Sequence, residues 1–172
     1  HYEGSLETHA INWNAEFDVQ LFTGEAVNLR VMPSSVTLSD VRVDDKAATV
    51  MDDSGYFAVL LQGRGNHRVK VSFQVPVVQQ QGPPQATLFI PRVPVSRFDL
   101  KLPGRKEVTV SPHSNVVAKI DDKSTSATVF LPMNDKVTFS WVDEVPEELK
   151  AKVRANANLY HLFHAEEGVL HG

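Results

Sequence analysis

The chain has 172 residues, no cysteine, 42% hydrophobic and 22% charged residues, and a formal net charge of -4. This composition is typical of a folded globular protein, and the lack of cysteine excludes disulfides, thiolate catalysis and cysteine-ligated metals. The acidic balance argues against a nucleic-acid partner, and without about 20 consecutive apolar residues we expect no membrane insertion by this segment.

Strict alternation of apolar and polar residues dominates the first half of the chain. The clearest run covers residues 69–77, and similar runs cover 11–21 and 27–31. Only an extended strand places every second side chain on one face, so these runs predict β-strands. The alternation that begins at Val36 slips by one residue at Ser39 and Asp40, which predicts a β-bulge there.

The next elements are separated by glycine-rich and proline-rich segments. Residues 56–61 are almost continuously apolar, which predicts a strand buried on both faces. Residues 62–66 form a glycine-rich hairpin loop, and residues 79–85 form the clearest loop of the chain. Six further strands are predicted at 87–90, 98–102, 107–110, 116–120, 127–131 and 137–141.

A helical pattern occurs near residues 146–155. Asp143 can cap a helix, Pro146 suits its first position, and Glu147 and Glu148 favour the positive end of the helix dipole. The pattern therefore predicts one short helix in this segment.

Together these elements predict an all-β fold: an antiparallel, immunoglobulin-like β-sandwich with one short helix. The sandwich would cover residues 1–172, and two small packed sandwiches, 1–78 and 86–172, are the alternative. Because the strands beside the 79–85 loop could pair with each other, we favour a single unit. The chain has neither an initial Met nor a signal peptide, which indicates a processed chain or a piece of a longer protein.

Two groups of side chains could hold a metal ion. His161, His164, Glu166 and Glu167 form the densest cluster of ligand types, but histidines three apart share a face only on a helix. The acidic pairs invite a calcium interpretation, yet none has EF-hand spacing, and turns use the same residues. These pairs are Asp44-Asp45, Asp52-Asp53 and Asp121-Asp122. We therefore assign no metal ligand.

No catalytic or phosphate-binding motif is present in the sequence. There is no Gly-x-Ser-x-Gly elbow and no His-Glu-x-x-His pattern. Gly63-Arg64-Gly65 leads into a strand, whereas a phosphate loop leads into a helix. We therefore assign no catalytic or cofactor-binding residue and no cofactor.

The aromatic residues could form a sugar-stacking platform. The candidates are Tyr2, Trp13, Tyr56, Trp141 and Tyr160. However, Trp13 and Trp141 are in phase with the apolar faces of their strands, which favours burial in the core. Carbohydrate binding is therefore an alternative function, and hydrolysis a weaker one.

Two segments resemble β-sandwich modules of bacterial envelope proteins of unknown function. They are GYFAVLLQGRGNHRV at residues 55–69 and FIPRVPVS at residues 89–96. The resemblance implies a location outside the cytoplasm, in the periplasm of a Gram-negative bacterium. It also implies a non-enzymatic structural or protein-interaction role, with a protein or neighbouring domains as partners and a glycan as an alternative ligand.

Overall fold

The computed structural model describes residues 1–145, and these residues form fourteen β-strands. The first seven are β1 (Tyr2–Glu7), β2 (Ala10–Leu21), β3 (Val27–Pro33), β4 (Thr37–Val43), β5 (Lys46–Ala47), β6 (Val50–Asp52) and β7 (Tyr56–Leu61). The others are β8 (Gly65–Pro76), β9 (Gln85–Phe89), β10 (Val95–Pro103), β11 (Lys106–Ser111), β12 (Val116–Ile120), β13 (Ser124–Pro132) and β14 (Lys136–Asp143). The described part of the chain contains no helix that is long and apolar enough to span a membrane. The predicted all-β class is confirmed, while the helix predicted near 146–155 lies outside the described residues.

The strands form one large sheet and two small ones within the compact unit His1–Val142. The large sheet has the order β12-β13-β10-β1-β2-β8-β4-β5, and the small sheets have the orders β11-β14-β9 and β3-β7-β6. In the large sheet β1 runs parallel to β10, and the other neighbours are antiparallel. The predicted antiparallel arrangement thus holds for every neighbouring pair of the large sheet except β1 and β10, because there β1 joins a strand from the second half of the chain.

The predicted alternation places the core correctly. Val69, Val71, Phe73 and Val75 of β8 are each at most 3% exposed. They belong to a single hydrophobic cluster that includes buried residues from the large sheet and from both small sheets. The periodicity of the sequence thus translates directly into one inward-facing row per strand.

A glycine in β1 makes room for the largest side chain of this core. Gly4 pairs with Trp13 of β2. A Cβ atom on Gly4 would lie 2.6–2.8 Å from three carbons of the Trp13 ring. The ring also contacts Phe98 and Phe139, with centroids 6.1 and 5.5 Å away. The missing side chain is therefore part of the packing.

Two strands contain a β-bulge. The ladder between β4 and β8 shifts between Leu38 and Asp40, which confirms the bulge predicted from the alternation. A second shift in β3, between Arg30 and Met32, leaves Val31 without a partner in β7. This second bulge is absent from the sequence prediction.

Strand β7 differs from its prediction. Ala58, Val59 and Leu61 are buried, but Tyr56 is 42% and Leu60 46% exposed. The expectation of burial on both faces is therefore wrong. The apolar run is continuous because the outer face of β7 also carries apolar side chains, not because that face is covered.

The interior contains both satisfied and unsatisfied polar groups. The fully buried hydroxyl of Thr125 accepts a hydrogen bond from the Lys106 N–H (2.8 Å) and donates one to the Gly104 carbonyl (2.9 Å). In contrast, the hydroxyl of Tyr2 and the indole N–H of Trp13 are buried without a hydrogen-bond partner. Burial raises the pKa of Tyr2 well above its usual range.

Candidate functional site

The first acidic pair forms a hairpin turn instead of a calcium site. Asp44 and Asp45 connect β4 to β5 with φ angles of 51° and 63°, values that aspartate tolerates better than most residues. Asp44 accepts hydrogen bonds from the Arg68 N–H (2.8 Å) and from the ring of His67 (2.9 Å), which lower its pKa. Lys70 donates to Asp45 (2.6 Å) and lowers the pKa of that carboxyl as well. Protein donors thus bind both carboxylates, as is typical of aspartates in a turn.

In each of the other two acidic pairs, one aspartate likewise accepts hydrogen bonds from protein donors. Asp53 accepts two hydrogen bonds from the Arg30 guanidinium, at 2.8 and 3.0 Å. Asp121 accepts the N–H groups of Lys123 and Ser124, at 2.8 and 2.7 Å, as an aspartate does in a turn. The described residues contain no group of three or more metal-ligating side chains. The histidine cluster His161 and His164, with Glu166 and Glu167, lies outside the described residues.

The aromatic side chains do not assemble into the sugar-stacking platform. Tyr2, Trp13 and Trp141 are 1%, 1% and 4% exposed. Tyr2 stacks on Phe98 with a centroid distance of 4.7 Å, inside the core. Of the four candidates that the structure describes, only Tyr56 is accessible. Tyr160 lies outside the described residues. The prediction that both tryptophans belong to the core is confirmed.

His67 joins two loops at the edge of the large sheet. Its Nδ1 lies 2.9 Å from a carboxylate oxygen of Asp44, and its Nε2 lies 2.9 Å from the carbonyl oxygen of Gly63. Both partners are acceptors, so both bonds form only when both ring nitrogens carry protons. These bonds raise the pKa of His67 and favour the imidazolium form.

The outer face of the large sheet contains a shallow polar depression. Two cavities of about 330 and 380 Å³ share Glu3 and Asn14 in their walls. Burial raises the pKa of Asp99 on this face, but hydrogen bonds from Thr128 and Arg97 outweigh this effect and lower the pKa overall. Its carboxylate also lies 2.7 Å from His1 Nε2. The acid is held ionised by these neighbours, which does not suit proton transfer near neutral pH.

A deeper groove follows strand β3, and we call it the β3 groove. It consists of two cavities of about 300 and 260 Å³ that share Arg30, Val31 and Pro91. One wall is β3, and the rest of the lining includes the segment 89–95, which connects β9 to β10, and, in the first cavity, His1 and residues 16–19 of β2. Val31 is 1% exposed, so the floor of the groove is apolar.

The walls of the β3 groove carry two accessible aromatic rings, each with a cation nearby. Arg30 lies 5.4 Å from the ring centroid of Tyr56 on one wall, and Lys136 lies 5.7 Å from that of Phe89 on the other. Phe89 is 47% exposed, about as much as Tyr56. The sequence prediction missed this site because its residues come from six strands. The one available signal was the unusually apolar outer face of residues 56–61.

No protein-family model and no curated protein matches the chain. Solved structures do share its fold. An M1 zinc metallopeptidase from Deinococcus radiodurans superposes with a TM-score of 0.55 and 8% sequence identity, over 81% of this chain and 40% of the peptidase chain. A mutant of that enzyme bound to the substrate Tyr-Ser-Ala gives a TM-score of 0.54 at 8% identity with the same coverage. A two-domain M1 zinc metallopeptidase mutant bound to L-tryptophan gives 0.52 at 9% identity, over 81% of this chain and 41% of the other.

These likenesses correct the function expected from the sequence. The expected spacer or interaction module of a bacterial envelope protein is contradicted, because the solved structures that share this fold are peptidase chains. The chain spans less than half the length of these structures, so the likeness concerns one part of them. The predicted periplasmic location and the predicted partners stay predictions.

Proposed function

We propose that this chain is a non-catalytic β-domain of a peptidase-like protein. The observation that carries the proposal is the partial match, since 81% of the chain superposes on only 40% of a zinc metallopeptidase. The remaining part of that enzyme is large enough to hold a separate catalytic domain.

The chain's own residues support the non-catalytic assignment. Many zinc metallopeptidases hold their metal with a His-Glu-x-x-His helix, in which the glutamate is the general base. The 172 residues contain no such motif. Two of the described acids, Asp53 and Asp121, are held by an arginine and by backbone N–H groups, respectively. We further propose that the two small sheets pack as one layer against the large sheet, as in a β-sandwich.

Two measurements test this proposal. The purified chain, supplied with Zn²⁺, is incubated with Tyr-Ser-Ala, and free tyrosine is measured by chromatography. We expect no release above the buffer control and less than one tenth of an equivalent of tightly held zinc. Hydrolysis that a chelator abolishes would contradict the proposal.

The second measurement is structural. An experimental structure of the chain is superposed on the zinc-bound peptidase. We expect the zinc ion to lie outside the superposed strands. A zinc ion surrounded by superposed strands would show that the matched part is catalytic.

A further inference from the structure

We propose that the β3 groove binds a short, extended, apolar peptide with a free C-terminal carboxylate. This inference deepens the proposed function, on which it rests, by giving the peptidase-like β-domain a peptide site of its own. The peptide would lie along β3, with its carboxyl end at Pro33 and its amino end at Leu29.

Strand β3 has one backbone edge without a strand partner. Within the described residues, β3 is the terminal strand of its sheet and pairs only with β7. Alternate N–H and C=O groups of such a strand point away from its neighbour and can bond to an added chain. The bulge at Val31 adds a residue without a partner in β7, in the stretch that lines both cavities.

The length of the β3 groove suits a short peptide. From Leu29 to Pro33 a strand covers roughly 13 Å, which is the length of about four extended residues. The segment 89–95 bounds the opposite side. Because this wall contains Pro91 and Pro94, which have no N–H group, it does not offer a complete backbone ladder. A peptide would therefore make its backbone contacts mainly with β3.

The walls of the β3 groove carry apolar surface that a peptide side chain could cover. Tyr56 and Phe89 line the same cavity and are 42% and 47% exposed. Below them, Met32 and Ile90 are 1% and 6% exposed. An apolar side chain of the peptide would cover both rings and remove their surface from water, which favours binding.

The charged side chains of the cavity determine which end of the peptide binds there. Asp135 lines the cavity beside Phe89, and Arg92 neutralises it with two hydrogen bonds. Arg30 is likewise matched by Asp53. Among the described residues Lys136 makes no ion pair within 4.0 Å, so its ammonium group is the unmatched charge of the cavity. A terminal carboxylate is the group of a free peptide that complements it.

The test measures binding of the tetrapeptide Ala-Val-Val-Phe by calorimetry and maps it by amide chemical shifts of the labelled chain. We expect shifts concentrated in β3 and at residues 89–91 and 135–136. Amidation of the peptide's carboxyl terminus is expected to weaken binding about tenfold, the effect of one charge-assisted contact.

Matched variants identify the contacts. Lys136→Gln should reduce affinity for the free acid about tenfold and remove its advantage over the amide, whereas Lys119→Gln, on exposed β12, should change neither. Tyr56→Ala should weaken both peptides at least fivefold, whereas Phe130→Ala, an exposed aromatic outside the groove, should not.

Several outcomes would overturn this inference. They are no binding at the solubility limit of the peptide, shifts confined to other strands, and an acid-to-amide ratio that Lys136→Gln leaves unchanged. Self-association of the chain that protects the same amides would show that a second copy occupies the groove. None of these results alters the zinc and hydrolysis measurements, so the non-catalytic assignment is tested separately.

Discussion

Replacing Gly4 by alanine adds one methyl group in the most crowded part of the core. The new Cβ would lie 2.6 Å from the nearest carbon of the Trp13 ring, whereas carbon atoms in contact normally stay about 3.5–4.0 Å apart. The ring cannot withdraw easily, because it is 1% exposed and packs against Phe98 and Phe139. Either the ring or strand β1 must therefore move by about 1 Å.

The expected cost follows from two opposing effects. Overpacking of a core destabilises by about 1–3 kcal/mol, while alanine is favoured over glycine in a strand by roughly 0.5–1 kcal/mol. We therefore expect Gly4→Ala to lower the free energy of unfolding by about 1–2 kcal/mol, and Tm by about 2–8 °C for a chain of this size.

Urea unfolding followed by tryptophan fluorescence measures this change, because Trp13 and Trp141 are both buried. Gly24→Ala is the matched control, since a Cβ there would meet nothing within 4 Å. In a Trp13→Phe background, Gly4→Ala should lower the free energy of unfolding only slightly. Phenylalanine lacks the fused indole, whose six-membered ring the new Cβ would meet. If Gly4→Ala were as stable as Gly24→Ala, the account of Gly4 as room for the indole would be refuted.

Three further substitutions are expected to change the stability of the fold in different directions. Tyr2→Phe removes a buried hydroxyl without a partner and should raise the free energy of unfolding by about 1 kcal/mol; a loss in urea unfolding would reveal a hidden partner. Thr125→Val should lower the free energy of unfolding by about 1–3 kcal/mol, because the partly buried Lys106 N–H and Gly104 carbonyl lose this partner; unchanged stability in thermal unfolding would argue against this role. For His67 the folded pKa is raised, so its contribution is complete below the unfolded pKa of about 6.5 and is lost as pH rises through the folded pKa. The Tm difference between the parent chain and His67→Ala should therefore shrink with rising pH, and a difference independent of pH would contradict the two-proton geometry.

The sequence predicted those features that depend on the alternation within one strand. The rows of β2 and β8, the burial of Trp13 and the bulge at Ser39 all follow from a period of two and its interruption. Strand β1 was missed because Gly4, in the middle of its inward row, has no side chain to mark the pattern. Strands β5 and β6 are too short, at two and three residues, to show a period.

The candidate site depends on information that alternation does not contain. The β3 groove exists because β3 and the segment 89–95 face each other without pairing, and sheet order is a matter of distant partners. Residues such as Tyr56 and Lys136 carry no local sign that they will line one cavity. The acidic turns could be predicted more easily, because aspartates such as Asp44 and Asp121 are common in turns, where their side chains bond to the nearby backbone.

The parallel pairing of β1 with β10 also constrains the order in which the chain can fold during synthesis. His1 contacts Asp99, 98 positions further along the chain, and β1 connects the two halves of the large sheet. During synthesis the first strand leaves the ribosome long before its parallel neighbour exists. Strands β1 and β10 can therefore pair only late in synthesis. Folds rich in such distant contacts fold slowly. Until then β1 has only β2 as a partner, and its other edge is open to the pairing errors that chaperones prevent.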